Sequence, residues 1–118
     1  MDEGRPIFQQ IAEQIENDII AGVLAEDQQI PSTNEFAAFL RINPATAAKG
    51  VNLLVDAGIL YKKRGIGMFV APGAKDRLVA ERRERFSAQF VTPLLQEAAK
   101  LGIAPAEIAA MIRQGGTR

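Results

Sequence analysis

From Ile7 the apolar positions recur every fourth residue. Ile7, Ile11, Ile15 and Ile19 form a stripe that Phe8, Ala12 and Ile20 widen, while Glu13, Glu16, Asn17 and Asp18 take the other side. This is the period of a helix with one buried face, and it predicts a first helix from about Pro6 to Ala21. Gly22 supplies the left-handed stop. In "IPSTNEFAAFL" Pro31 ends an extended entry, and Ser32 caps a helix whose Glu35 reaches back in a capping box. Phe36, Ala37, Phe39 and Leu40 are the apolar side of this short second helix, with Ala37 small enough for another helix to come close. Arg41 and Ile42 make a turn. Asn43, a cap, and Pro44, with its φ already set, start a third helix in "NPATAAKG". Its inward stripe is Ala47, Val51, Leu54 and Val55, and it ends at Gly58.

The period changes in "ILYKKRGIGMFV". Two β-prone stretches, Leu60 to Lys63 and Met68 to Ala71, flank "RGIG", whose glycines permit the positive φ angles of a tight hairpin. Two short helices joined by a turn are a helix-turn-helix, and a hairpin directly after the third helix is a wing. "APGA" at 71–74 breaks the pattern and reads as a domain boundary. Beyond it residues 75–101 are helical in composition, with Val79, Phe86, Phe90, Leu94 and Leu101 recurring at sevens and fours as a seam. Pro93 should kink this helix or split it in two. Gly102 closes it, and "APAEIAAMI" adds a last short helix with Pro105 in its first turn and Ile108, Met111 and Ile112 as its apolar side. The expected fold is mainly α with a small β-hairpin. A winged helix-turn-helix over residues 5–73 precedes a short two-helix dimerisation segment over 74–118, where any effector would also act.

Composition narrows the chemistry. The chain has neither cysteine nor histidine, which removes thiol nucleophiles, disulfides, Cys/His zinc sites and imidazole bases. No paired carboxylates stand beside a Gly-rich cleft signal, so neither an enzyme nor a bound cofactor or metal is expected. The apolar fraction is that of an ordinary globular protein, no apolar run is long enough for a membrane, and the acidic start at Asp2 and Glu3 is unlike a signal peptide. These features predict a cytoplasmic protein.

Net charge is zero, but it is segregated. Residues 1–40 hold eight acids and one base, residues 41–86 ten bases and four acids, and residues 87–118 three bases and two acids, so the three segments carry −7, +6 and +1. A basic middle is where an anionic polymer would be met. Solvated helix faces of alternating sign would give the same totals.

Between Ile30 and Val70 the order of signals resembles the DNA-binding domain of the GntR family of bacterial transcription regulators. Pro31, Ser32 and Glu35 match the opening of the family's second helix, "LVDAGIL" nearly matches the end of its third, and "RGIGMFV" at 64–70 matches its wing. The tail of about 45 residues, with no histidine for the metal site of larger members, resembles the YtrA subfamily. There "NPAT" at 43–46 is close to the usual opening of the third helix, and "LGIAPAEI" at 101–108 matches the usual tail. Asn34 stands where many relatives have Arg, Ala45 replaces the subfamily's second Asn, and Arg41 replaces the Gly usual in the turn. The resemblance implies a winged-helix regulator of transcription, often of transporter genes.

A groove-reading helix needs donors for phosphates and side chains that reach base edges. Asn43 and Thr46, at the exposed start of the third helix, are placed to donate to phosphate. Lys49 shares their outward face and suits guanine or phosphate, while Ala45 suits a thymine methyl. Ser32, Thr33 and Asn34 should lie against the backbone. Arg64 and Gly65 at the wing tip suit a minor groove, flanked by Lys62 and Lys63. Plainer roles exist for each: Ser32 and Asn43 as helix caps, Lys49 as a solvated lysine, the wing charges as solubilisers, and the seam packed on its own domain.

Two functions follow. In one the chain is a homodimeric transcription factor, a repressor on a palindromic double-stranded operator, paired through Val79, Phe86, Phe90, Leu94, Leu101, Ile108, Met111 and Ile112. In the other the winged helix is an adaptor whose seam binds a different protein. Two short tail helices leave little room for an effector pocket of the usual ~300 Å3 or more, so any effector, of unknown identity, would sit at the dimer interface.

Overall fold

The computed structural model describes residues 4–115. Asp2, Glu3 and the last three residues of the 74–118 segment lie outside the described residues. The elements are α1 (Ile7–Ile20), α2 (Thr33–Leu40), α3 (Pro44–Asp56), β1 (Leu60–Lys63), β2 (Gly67–Val70), α4 (Ala74–Phe86), a π-turn (Ser87–Val91), α5 (Thr92–Lys100) and α6 (Pro105–Arg113). The chain divides between Val79 and Ala80 into two compact units.

In the first unit Ile11, Ile15 and Ile19 of α1 pack with Val51 and Leu54 of α3, with Ile59, Leu60 and Val70 of the hairpin, and with Ala74 and Leu78 of α4. The i+4 isoleucine stripe is the core stripe, and fully burying each such side chain contributes about 1.5–3 kcal/mol. Two expected members fall outside it. Ile7 is 44% exposed because it precedes the turn at which the core begins, and Phe39 is 86% exposed. A helix of two turns has one inner face, which Phe36, Ala37 and Leu40 take; Phe39 lies about 200° round from Ala37 and stands on the rim of the groove between α1 and α2.

β1 and β2 pair antiparallel with Leu60 opposite Val70 and Lys63 opposite Gly67. β2 therefore begins one residue earlier than the pattern suggests, and the N–H of Ala71 extends the ladder in the same register by donating to the carbonyl of Ile59 at 2.9 Å. The entry before Pro31 joins the sheet too. Asp27 N–H donates to Val70 O at 2.7 Å, Val70 N–H to Gln28 O at 3.0 Å and Ile30 N–H to Met68 O at 2.9 Å, with Gln29 bridged to Phe69. This third edge was hidden in "AEDQQI", which has neither alternation nor β-branched residues before Ile30.

The first turn of α4 is tied to the same unit. The Glu26 carboxylate accepts the Gly73 N–H at 3.0 Å, and Arg77 donates to the Ala57 carbonyl at the end of α3 at 2.5 Å. Packing continues past the expected boundary at 71–74 to Leu78.

In the second unit the helical run expected over 75–101 is divided just before Pro93: α4 ends at Phe86, a π-turn spans Ser87–Val91 and α5 starts at Thr92. Phe86, Val91 and Thr92 all hold right-handed helical angles, and the turn before the proline widens to π, with Thr92 N–H bonded to Ser87 O. Pro93 lies in the first turn of α5, directly after the π-turn, and the wider turn accommodates its ring and its missing N–H donor. Ala98 of α5 and Ile108 of α6 are the buried residues of these helices, and Glu107 accepts the Ala104 N–H at 3.0 Å to start α6. Among the described residues no helix is long and apolar enough to cross a membrane.

Candidate nucleic-acid interface

Both helix starts that face outward from the helix-turn-helix are capped. Ser32 Oγ accepts the Glu35 N–H at 3.1 Å while the Glu35 carboxylate accepts the Ser32 N–H at 2.7 Å. Asn43 Oδ1 accepts the Ala45 N–H at 2.7 Å. Capping uses only acceptors, so the Ser32 hydroxyl proton and the Asn43 amide N–H groups remain available to a phosphate. Ser32, Asn34 and Asn43 are exposed and Thr33 is half-buried. Between the helices Arg41 takes the left-handed conformation, φ 58° and ψ 51°, that the turn requires of whatever residue stands there.

On α3, Ala47 and Gly50 are buried, Thr46 and Ala48 half-buried, and Ala45 and Lys49 exposed. A Cβ on Gly50 would lie 2.7 Å from the Phe8 carbonyl oxygen and 3.1 Å from Ile11, so here α1 and α3 touch through backbone. Lys49 turns its ammonium over the Phe8 ring, 4.0 Å from the centroid, an attraction between cation and ring quadrupole. That holds the one long basic side chain of the face toward its edge. Asn52, seven residues on from Ala45, is also exposed. Heptad counting along the outward face finds it, and its amide suits the edge of an adenine.

The wing is braced from outside. Ile66 N–H donates to Lys63 O at 2.9 Å, closing a turn with Gly65 at φ +77°, and the side chain of Gln29 donates to Ile66 O at 3.0 Å. A side chain on Gly67, at φ +149°, would meet that same amide at 2.5 Å. On one side of the hairpin Tyr61 and Phe69 stack at 5.6 Å, and Lys63 places its ammonium 4.5 Å from the Phe69 centroid. Tyr61 donates to Asp27 at 2.8 Å. That hydrogen bond first, then desolvation and the Asp27 charge, hold the phenol above its ordinary pKa. Lys62, Lys63, Arg64 and Gly65 are exposed.

Ser32, Thr33, Lys62, Lys63 and Gly65 line one cleft of about 360 Å3 between the start of α2 and the wing. Asn43, Ala45, Thr46 and Lys49 lie on α3 outside that lining, and Arg64 stands at the wing tip. Among the described residues no group of three or more carboxylates is placed to hold a metal ion.

Residues 7–70 match the model of the gntR family of bacterial regulatory proteins. The chain belongs to the GntR family. Its α1 to β2 are the GntR domain, a family of regulators and not of enzymes. Among curated relatives it is similar to the transcriptional repressor YtrA of Bacillus subtilis, 32% identical over 74 residues that make up 63% of this chain and 57% of YtrA. It thus spans little more than half the length of that GntR-type relative. A GntR-family regulator from Listeria monocytogenes shares the fold with a TM-score of 0.76 and 26% identity, over 97% of this chain and 98% of that one. AraR(DBD) in complex with an operator matches with a TM-score of 0.55 and 36% identity, over 57% of this chain and 82% of that one.

In the second unit Phe86, Phe90, Leu94, Leu101, Met111 and Ile112 are 42–66% exposed. The Phe86 and Phe90 rings meet each other at 5.6 Å. Ile108 is buried there, and Val79, the last residue of the first unit, is half-buried.

Proposed function

We propose that this GntR chain is a homodimeric transcriptional repressor that binds a palindromic operator, pairing through its tail and controlling transporter genes. The observation that carries the reading is the shared cleft: Ser32 and Thr33 at the start of α2 and Lys62 and Lys63 of the wing line one surface, with Glu35 among them, beside the exposed start of α3. A phosphate strand needs that combination of point charges and short donors. Asn43, Thr46 and Ser32 hold the backbone, Ala45 keeps α3 low in the major groove, and Lys49 contacts phosphate or guanine at the edge of the face. Arg64 reads minor-groove shape.

The names of YtrA, a transcriptional repressor, and of the AraR(DBD) operator complex support repression through DNA. The exposed Phe86, Phe90, Leu94 and Leu101 surface supports pairing of two copies, which would set the two α3 helices roughly 34–36 Å apart on the duplex. The test is to sequence the fragments the protein retains from its own genome and to measure its mass in solution. Palindromic fragments upstream of transporter genes, bound by a dimer, are expected. A monomer without salt-sensitive DNA binding overturns the proposal, and tail-dependent capture of another protein that survives Lys49→Ala with Arg64→Ala favours an adaptor. Arg64→Ala should relax sequence preference at least as much as Lys49→Ala, because Lys49 is held toward Phe8 and little else on α3 is long enough to discriminate.

A further inference from the structure

The apex of the wing carries a side chain that no basic role explains. Ile66 is 63% exposed although the residues around it are cationic or glycine. Its backbone is fixed at both ends, the N–H on Lys63 O at 2.9 Å and the carbonyl by Gln29 at 3.0 Å. Gly65 has open space around the position of a Cβ, and Gly67 has room for none. A rigid apolar point therefore stands between two positions without side chains, with Arg64 beside it and Lys62 and Lys63 behind. Ile66 borders the cleft that Pro31 and Met68 also line, yet most of its surface stays in water, and its cationic flanks suit a polyanion.

We infer that Ile66 is an apolar wedge that enters the minor groove of duplex DNA at a base step, making it a specificity-determining residue. The inference rests on the proposal that this domain binds DNA. A braced aliphatic tip pressed into a step partly unstacks it, at a cost that is smallest for flexible pyrimidine–purine steps such as TA. The wing then selects a deformable step without a hydrogen bond to any base, beside the groove shape that Arg64 reads. Gln29 acts as a positioning residue, since it fixes the backbone from which Ile66 projects.

The experiment uses the full chain and two synthetic duplexes built on the most enriched genomic fragment, identical except for TA or AA at the step under the wing tip. Wild type should prefer TA by about tenfold, equivalent to the unstacking difference of one such step. Ile66→Ser should reduce the preference to within about twofold, while Ile66→Val retains most of it. 2-Aminopurine at the step should brighten with wild type and not with Ile66→Ser. The substitution is at an exposed position, and an unchanged thermal melting curve confirms that the fold is intact. An undiminished TA preference in Ile66→Ser, or a wild type indifferent to the step, overturns the wedge while DNA binding stands. A wild type that retains no genomic fragment over random duplex at any salt overturns the DNA-binding reading itself.

Discussion

Gly50 sets how near α3 lies to α1. Any β-carbon there must displace the Phe8 carbonyl or the Ile11 side chain, so Gly50→Ala should destabilise the protein by about 1–3 kcal/mol despite alanine's better helix propensity. Urea unfolding measures it, and a gain in stability would show that the helices separate freely. Arg41 is the opposite case: it holds φ 58° at some cost, and Arg41→Gly should stabilise by about 1 kcal/mol with an unchanged urea dependence. Tyr61 is the only tyrosine, so ultraviolet titration isolates its phenol. The native midpoint should lie above that of the unfolded chain and fall in Asp27→Asn. Because the folded value is the raised one, the Tyr61 contribution to stability is intact below the unfolded value and lost as pH rises through the native one. Single residues were only partly legible in the sequence. Ser32, Glu35 and Asn43 announce their caps by local spacing, whereas the Gly50 contact, the Lys49 seat on Phe8 and the Gln29 brace join segments that no local pattern relates.

At the scale of elements, Arg77 ties the start of α4 to the end of α3 by donating to the Ala57 carbonyl. A cation on the last carbonyls of a helix satisfies an acceptor and opposes the helix dipole. Arg77→Ala should therefore cost about 1–2 kcal/mol and give faster amide exchange at the end of α3; exchange unchanged there would mean that the tie is idle. Elements whose period repeats several times are legible in the sequence: α1 from its isoleucines, the hairpin from its two glycines. The third sheet edge at 27–30 was not, because a strand of three or four polar residues is made by its partner's free N–H and carbonyl groups and not by its own pattern. The span of α2 and most of its inner face, Phe36, Ala37 and Leu40, are legible, but two turns give too few positions to decide where Phe39 points.

Across the molecule, equal numbers of acids and bases hide a separation, with the acids concentrated before residue 41 and the bases between 41 and 86. Such a chain should bind duplex with strong salt dependence despite zero net charge, and Arg64→Ala should lower the slope of log K against log salt by about one per protomer. Titrations between low and moderate salt check this, and equal slopes would remove Arg64 from the phosphate contacts. The π-turn before Pro93 reaches further than its five residues. An apolar repeat of four leads an α-helix of 3.6 residues per turn by about 40° at every step, a drift that α1 holds within one buried face over Ile11, Ile15 and Ile19 but that would spread Phe86, Phe90 and Leu94 over about 80° of an exposed helix. The wider turn absorbs that lead, acting as a phase corrector that keeps one apolar line along the helix. Pro93→Ala, by letting the turn relax to α, should preserve helix content yet rotate Leu94 and Leu101 by about 100° relative to Phe86. On the proposal that two copies pair through this line, light scattering should then show weaker self-association from a helix that has become more regular.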